Sequence, residues 1–440
     1  MMFMSAFNLK SVLKNGVSYL EDVYGGAAII MALMTPVIIG GLAFGAEVGG
    51  WELTKRQVQN AADTAAFAAA TQVRSGYSQS VISAAATAVA EASGYDGDAS
   101  GVHVENPPST APNAADGTNP NGNSSYVYVT LTQTAERNFT KFFASNDAVT
   151  FKSGALAKVE NGRPACVLAL HPSASGAIAT GGSTTVTLNG CDIASNSISQ
   201  SAITSNGNGS SVTADCISAV GNVSVNNTYN LTCPAPIANA PVTSDPYKNI
   251  PEPTNCTSTN TLNQFPSSGS GSTRCYTGGS GGVTVTSNTT LASNTTYVFE
   301  NTGSSTLTWK INGNKTVSGT SVTMYFKGNW DVQVNGNTFL NITAPTSGAY
   351  KGIALFGSRN SEVNFDLSGN NGAKVVGVIY SPNKNSDITY TGSSVAYSSG
   401  QCTQVIGGTV TFWGNSNFST NCSNSGTTAI MAGQSISIVG

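Results

Sequence analysis

The chain has 440 residues, of which 9% are charged and 40% are hydrophobic, and its net charge is −3. Soluble proteins usually carry about 25% charged residues, so this composition disfavours a conventional cytosolic enzyme. No basic block is present, which disfavours nucleic acid as a partner. Histidine occurs only at His103 and His171, so there is little material for histidine metal sites or general-base chemistry. We therefore expect no cofactor and no metal.

An uncharged apolar run covers residues 25–46 and contains Pro36. As a helix these residues would rise roughly 33 Å, enough to cross a bilayer core of about 30 Å. A proline in such a helix causes a kink and does not prevent the helix from spanning. The run predicts a retained transmembrane helix after a cytoplasmic segment, residues 1–24. A cleaved signal peptide ending near Ala46 and an apolar soluble helix are the alternatives.

The orientation of this span depends on the cysteines. Basic residues flank the run on both sides, so the positive-inside signal is nearly balanced. All eight cysteines lie between Cys166 and Cys422, and an even set in a low-charge region indicates disulfides formed in an oxidising compartment. We therefore expect a single-pass protein of the inner (cell) membrane, with a cytoplasmic amino terminus and the bulk periplasmic or extracellular.

Glycines follow one another at four-residue intervals near the end of the span, at Gly41, Gly45 and Gly49. In a lipid-facing helix, such a stripe of small residues lets a second helix backbone approach closely. Glycine is also common in membrane helices for other reasons. The stripe is a candidate helix-packing surface.

A long alanine-rich helix is predicted after the span, with a break near Gly76. Small apolar residues recur at helical spacing from Val58 to Val73, and polar residues lie between them. A stripe of alanines makes a close-packing face, which would contact either a partner or the chain's own folded domain.

The anchor and this helix together resemble the amino-terminal region of TadG-like proteins (the TadE/TadG superfamily) of the Tad/Flp pilus-assembly system. The family usually has an aspartate after the span, where this chain has Glu47, and a Q-x-A-A-D-A-A-A-L-A block, where this chain has QNAADTAAFAAA. The family motif residues here are Gln59, Ala61, Ala62 and Asp63. The resemblance covers about residues 15–75. It implies a membrane-anchored pilus-assembly component whose partners are other pilus-assembly or secretion-machinery proteins.

The fold beyond the membrane is predicted to be mainly β. Residues 47–160 would form the alanine-rich helix and a small α+β unit, with strands near 126–131 and 150–159 and a short helix near 135–144. A β-rich cysteine-containing region (161–233), a Pro/Ser-rich linker (234–273) and a β-solenoid-like region (274–440) would follow. Short apolar runs with polar turns favour an irregular right-handed β-helix, with a β-sandwich as the alternative.

Disulfides are expected to restrain this region. Pairing of neighbours in the sequence is one hypothesis among the 105 connectivities that eight cysteines allow. It gives Cys166–Cys191, Cys216–Cys233, Cys256–Cys275 and Cys402–Cys422.

No catalytic site is predicted. The G-x-S-x-G string around Ser280 lacks the preceding strand and following helix that a nucleophile elbow requires. Glu362, Asp366 and Asp387, near Arg359, are more typical of a solvated strand face than of an active site. We expect a non-catalytic pilus-assembly component with a structural or adhesive β domain that faces a surface ligand or polysaccharide. The alternative is a secreted or surface β-helix adhesin or carbohydrate-active enzyme unrelated to pili.

Overall fold

The computed structural model describes residues 26–206, 209–225, 228–254, 259–261, 273–277, 282–368, 373–391, 401–415, 417–422 and 427–440. Within these ranges the chain divides into two compact units. The amino-terminal unit contains the described residues through Ala70, together with Gln79–Lys158 and Ile438–Gly440. The β unit contains Thr71–Ser78 and Val159–Ser437.

The predicted span and the alanine-rich helix form one continuous helix, α1 (Gly26–Arg74), with Pro36 inside it. The helix ends before Gly76, whose φ of 66° lies in the left-handed region that glycine adopts without a steric penalty. Helix α2 (Gln79–Ala92) follows at once. The expected break near Gly76 is therefore the boundary between the two helices.

An antiparallel sheet completes the amino-terminal unit, with β1 (Val102–Glu105), β2 (Tyr126–Glu136) and β3 (Ala148–Val159). Short 3-10 turns occur at Ala99–Gly101 and Thr140–Phe142. The prediction of a short helix near 135–144 was wrong, because β2 continues to Glu136 and only the single turn Thr140–Phe142 follows.

The β unit contains parallel strands contributed by successive passes of the chain. Three passes precede residue 234: β4 (Arg163–Ala169), β5 (Ile178–Gly181), β6 (Thr185–Leu188), β7 (Asp192–Ser195), β8 (Ile203–Asn206), β9 (Ser211–Ala214), β10 (Ile217–Ala219), β11 (Val223–Ser224) and β12 (Thr228–Leu231).

Further passes follow, and their strands are β13 (Thr259–Thr261), β14 (Thr273–Thr277), β15 (Val283–Val285), β16 (Thr289–Thr290), β17 (Thr295–Glu300), β18 (Leu307–Ile311), β19 (Thr316–Gly319), β20 (Val322–Lys327), β21 (Trp330–Gln333) and β22 (Phe339–Thr343). The later passes continue with β23 (Ile353–Gly357), β24 (Val363–Asp366), β25 (Ala373–Ser381), β26 (Asp387–Tyr390), β27 (Thr403–Gly407), β28 (Thr409–Phe412) and β29 (Asn417–Thr420). After them, β30 (Ile430–Ala432) pairs antiparallel with β4. The last strand, β31 (Ile436–Ile438), lies outside these parallel sheets.

The strand order shows that the last passes pair with the first. One sheet runs β10-β7-β4-β27-β25-β23-β20-β17-β14-β13, a second runs β11-β8-β5-β28-β26-β24-β21-β18-β15, and a third runs β12-β9-β6-β29. Val405 lies beside Val167 where β27 meets β4, and Val410 lies beside Ile178 where β28 meets β5. Residues 163–231 and 273–420 therefore share the same sheets.

Residues 234–254, here called the return segment, cross from β10 towards the other end of these sheets. Ile237 bridges Ser218 of β10. Further along, the Tyr380 hydroxyl donates to Asp245 Oδ2 at 2.7 Å, and the Tyr325 hydroxyl donates to Glu252 Oε2 at 2.7 Å. These bonds fasten the segment to β25 and β20.

The core of the β unit is built from side chains in parallel register. Tyr276, Phe299 and Phe326 occupy matching positions of β14, β17 and β20. The Phe299 and Phe326 rings stack with centroids 4.9 Å apart, and Trp309 and Trp330 meet them edge-on. All five side chains are buried, and such contacts add to the stabilisation from burial alone.

The prediction of a mainly β protein with a long apolar amino-terminal helix is confirmed. Parallel pairing across these sheets is a β-helix-like arrangement, in contrast to the antiparallel sheets of the β-sandwich alternative. Right-handed winding stays a prediction.

Candidate functional site

The first half of α1 is apolar and exposed. Ile29, Leu33 and Leu42 are among the exposed apolar side chains of this stretch, and Leu42 is 70% exposed. The helix is long and apolar enough to cross a membrane, and none of the most apolar window is buried. Uncovered apolar surface of this extent is costly in water, so this half of α1 fits a membrane anchor.

The glycine stripe lies on an uncovered side of α1. A Cβ atom added at Gly41, Gly45 or Gly49 would meet no other atom within 4 Å. Larger side chains are therefore sterically tolerated here within a single chain, and a helix-packing role for the stripe stays a prediction.

Glu47 follows the apolar run directly and is 9% exposed. Its Oε1 atom accepts the Asn138 backbone N–H at 2.6 Å, and its Oε2 atom accepts the Thr140 N–H at 2.8 Å. The Arg137 guanidinium lies 5.1 Å from the centre of the Trp51 ring. One carboxylate thus connects α1 to the loop between β2 and β3. The sequence does not reveal this connection, because Asn138 and Thr140 are 91 and 93 positions away from Glu47.

The alanine face of α1 packs inside the amino-terminal unit. The face consists of fully buried residues, namely Val58, Ala61, Ala62, Ala65, Ala66, Ala69 and Ala70. Ile82, Ala86 and Ala90 of α2 are also buried, and Thr64 Oγ1 is hydrogen-bonded to Ser93 Oγ at 2.9 Å. The sequence allowed this face to contact either a partner or the chain's own folded domain. In the structure it packs against the chain's own domain.

The polar members of the family motif lie beside this face. Gln59 Nε2 donates to Asp63 Oδ1 at 2.9 Å, one helical turn away, and to the Gly154 carbonyl of β3 at 3.4 Å. Ala61 and Ala62 are fully buried. In the structure the motif therefore holds α1 against its own sheet, and a binding role for these residues stays untested.

The described cysteines are disulfide-bonded. Three bonds join neighbours in the sequence: Cys166–Cys191, Cys216–Cys233 and Cys402–Cys422. Cys275 is also disulfide-bonded, whereas its hypothesised partner Cys256 lies outside the described residues. The bonds agree with the expected oxidising compartment.

The charged side chains considered for catalysis are engaged in local hydrogen bonds. Asp387 accepts from Thr409 Oγ1 at 2.6 Å, and the Glu362 carboxylate accepts from Asn364 at 3.1 Å. Arg359 donates to the Tyr247 carbonyl at 2.7 Å. Asp366 accepts a hydrogen bond from Ser368. Among the described residues, no group of three or more His, Cys, Asp or Glu side chains is arranged to hold a metal. Ser280 of the G-x-S-x-G string lies outside the described residues.

The exposed apolar half of α1 fits a membrane anchor, and the helix continues into a folded unit that buries its alanine face. Residues 25–72 match the family model described as "Putative Flp pilus-assembly TadE/G-like". The matched range contains the apolar run, Glu47 and the buried alanine face. Residues 25–72 are therefore similar to the TadE/G-like Flp pilus-assembly family, which agrees with the resemblance of residues 15–75. Neither a curated protein nor a solved structure matches the chain.

Proposed function

We propose that this protein is a non-catalytic, membrane-anchored component of a Tad/Flp-type pilus-assembly machine. The match of residues 25–72 to the TadE/G-like family carries the proposal. In it, the first half of α1 crosses the inner membrane with the amino terminus cytoplasmic. The β unit faces the oxidising side, where its disulfides form.

The glycine stripe is the proposed contact with other membrane helices of the machine. The alanine face is buried within the amino-terminal unit. A partner in the membrane would therefore contact the uncovered side of α1. Gly41 and Gly45 offer such a surface, since nothing lies within 4 Å of a Cβ built on either. Close backbone approach at small residues drives association of helices in lipid.

The β unit serves in this proposal as a structural or adhesive module. Its Glu362, Asp387 and Arg359 side chains are engaged in bonds that hold neighbouring strands and the return segment. Such bonds favour a supporting role for these residues over acid–base chemistry. A surface ligand or polysaccharide remains the expected partner of this module.

The test combines Gly41→Leu with Gly45→Leu in a strain that lacks the chromosomal gene, and counts surface pili. Leucine fits the open space and favours a helix, so we expect a normal amount of membrane-inserted protein and a loss of pili. Ala46→Leu, which adds bulk at an exposed position on another side of α1, is the matched control and should leave piliation intact.

Normal piliation in the double variant would reject the glycine stripe as the contact surface. Normal piliation in the strain lacking the gene would reject the assembly role itself. The alternative of a secreted or surface adhesin or carbohydrate-active enzyme unrelated to pili would then be preferred.

A further inference from the structure

The loop between β2 and β3 exposes aromatic side chains next to the apolar half of α1. We call residues 137–143 the aromatic loop. Phe142 is 76% exposed and Phe143 is 79% exposed, and Lys141 Nζ lies 5.7 Å from the centre of the Phe142 ring. Two adjacent phenylalanines on a polar loop are costly in water unless another apolar medium covers them.

The position of the aromatic loop along α1 is fixed by direct contacts. The two Glu47 hydrogen bonds hold the N–H groups of Asn138 and Thr140. A Cβ atom at Gly40 would lie 3.7 Å from Phe139 Cζ. The loop therefore contacts α1 at residue 47 and again seven residues earlier, inside the apolar run.

These contacts set the depth of the loop if residues 25–46 span the bilayer. Gly40 precedes Ala46 by six residues, which corresponds to about 9 Å along the helix axis. Because residues 25–46 match the thickness of the hydrocarbon core, Ala46 lies near the edge of that core. Phe139, beside Gly40, then lies about 9 Å below this edge, within the depth of about 5–10 Å that interfacial apolar side chains reach.

We propose that the aromatic loop is a second membrane contact, which inserts Phe142 and Phe143 into the leaflet on the side of the folded domain. The occupant of this surface is lipid, because the surface continues the exposed apolar surface of α1, which includes Leu42 and Phe44. Phenylalanines would enter the acyl boundary while the Lys141 ammonium meets lipid phosphates. The contact would fix the tilt and rotation of the amino-terminal unit at the membrane, which a single helix leaves free. This inference rests on the proposed membrane anchoring by α1.

The experiment places one nitroxide label on the full-length protein in vesicles of phosphatidylethanolamine and phosphatidylglycerol. Cysteine is introduced in separate variants by Phe142→Cys, Phe143→Cys, Leu42→Cys and Asn146→Cys. Labelling is done without reductant, since the described native cysteines are disulfide-bonded, and the unsubstituted protein gives the background. Collision of each label with oxygen, which concentrates in lipid, and with a water-soluble nickel chelate reports its depth.

We expect the labels at 142 and 143 to collide more with oxygen and less with the nickel chelate than the label at 146 does. Asn146 is the matched control because it is an exposed position of the same β2–β3 connection. Combining Phe143→Cys with Glu47→Ala should shift the 143 label towards water, since the two bonds that hold the loop against α1 are lost.

Labels at 142 and 143 that are as accessible to nickel as the label at 146 would overturn the inference. Labels shielded from both reagents would also overturn it, because they would indicate a protein partner. The label at Leu42 separates this failure from failure of the anchor. If the label at 42 is exposed to water, α1 does not span the membrane and the proposed anchoring is rejected. If it lies in lipid, only the membrane contact of the aromatic loop is rejected.

Discussion

The Tyr380 hydroxyl donates a 2.7 Å hydrogen bond to Oδ2 of Asp245, a residue 135 positions earlier in the chain. The bond joins the return segment to β25 in the interior of the β unit. Two residues further along, Tyr247 is fully buried and its ring centroid lies 5.7 Å from that of Tyr380. The proline-rich stretch that links the early and late passes is therefore part of the packed structure.

Tyr380→Phe should destabilise the β unit by about 1–3 kcal/mol, because it removes the donor and leaves a buried carboxylate short of a partner. Burial raises the pKa of Asp245, and the hydrogen bond from Tyr380 opposes that rise. The loss should therefore grow as the pH rises and Asp245 ionises. Denaturant unfolding of the full-length protein in detergent, followed by tryptophan fluorescence, measures it. Tyr77→Phe, at a half-exposed tyrosine of the same unit, should change little, and equal midpoints for the two variants would contradict the assignment.

Ala62→Leu should destabilise the amino-terminal unit by about 1–3 kcal/mol, since three carbons are added to a fully buried position. Asn60→Leu adds a leucine to the exposed side of the same helix and should stay within about 0.5 kcal/mol. Hydrogen exchange of α1 and α2 in detergent measures both changes. If Ala62→Leu is tolerated as well as Asn60→Leu, the alanine face is not packed within its own unit.

Protonation of Glu105 in acid should destabilise the amino-terminal unit. Partial burial alone would raise the pKa of Glu105, but hydrogen bonds from Ser109 and Thr110 outweigh it and lower the pKa from 4.5 to about 2. The pKa of Glu105 is lower in the folded than in the unfolded protein. The stabilisation by the ionised carboxylate is therefore complete above about pH 4.5 and is lost as the pH falls towards 2.

Glu105→Gln should therefore cost about 1–2 kcal/mol at pH 7 and almost nothing near pH 2. Hydrogen exchange of β1 and β2 at several pH values gives this difference. A cost that is independent of pH would contradict a role for the ionised carboxylate.

Loss of the Cys166–Cys191 disulfide should destabilise the β unit more than loss of Cys216–Cys233. Each bond closes a loop, and by lowering the entropy of the unfolded chain it stabilises the fold by about 3 kcal/mol. Cys166 and Cys191 are both buried where β4 pairs with β7, whereas Cys216–Cys233 belongs to the pass at the end of the sheets. Thermal unfolding of the two double alanine variants tests the order, and the reverse order would contradict it.

Local patterns predicted many of the elements. The apolar run and the alanine periodicity indicated α1, because a helix that repeats small residues every three or four positions buries one face. The runs 353–356 and 375–379 are apolar throughout and indicated β23 and β25, because strands covered on both faces lack alternation.

Long-range relationships could not be predicted in the same way. The pairing of β27 with β4 joins residues more than 200 positions apart, and no local signal specifies such a neighbour. The Glu47 contact with the aromatic loop was missed for the same reason. Residues 135–144 had the composition of a short helix, but the N–H groups of Asn138 and Thr140 are bound by Glu47 from another element.

The most direct test of the account is the mass of the amino-terminal peptide of the protein recovered from separated envelope fractions. If α1 is a retained anchor, peptides preceding residue 25 remain attached and the protein is found in the inner membrane. A new terminus near Ala46, in protein released from the membrane, would contradict the account, because the helix that carries the family match would have been removed.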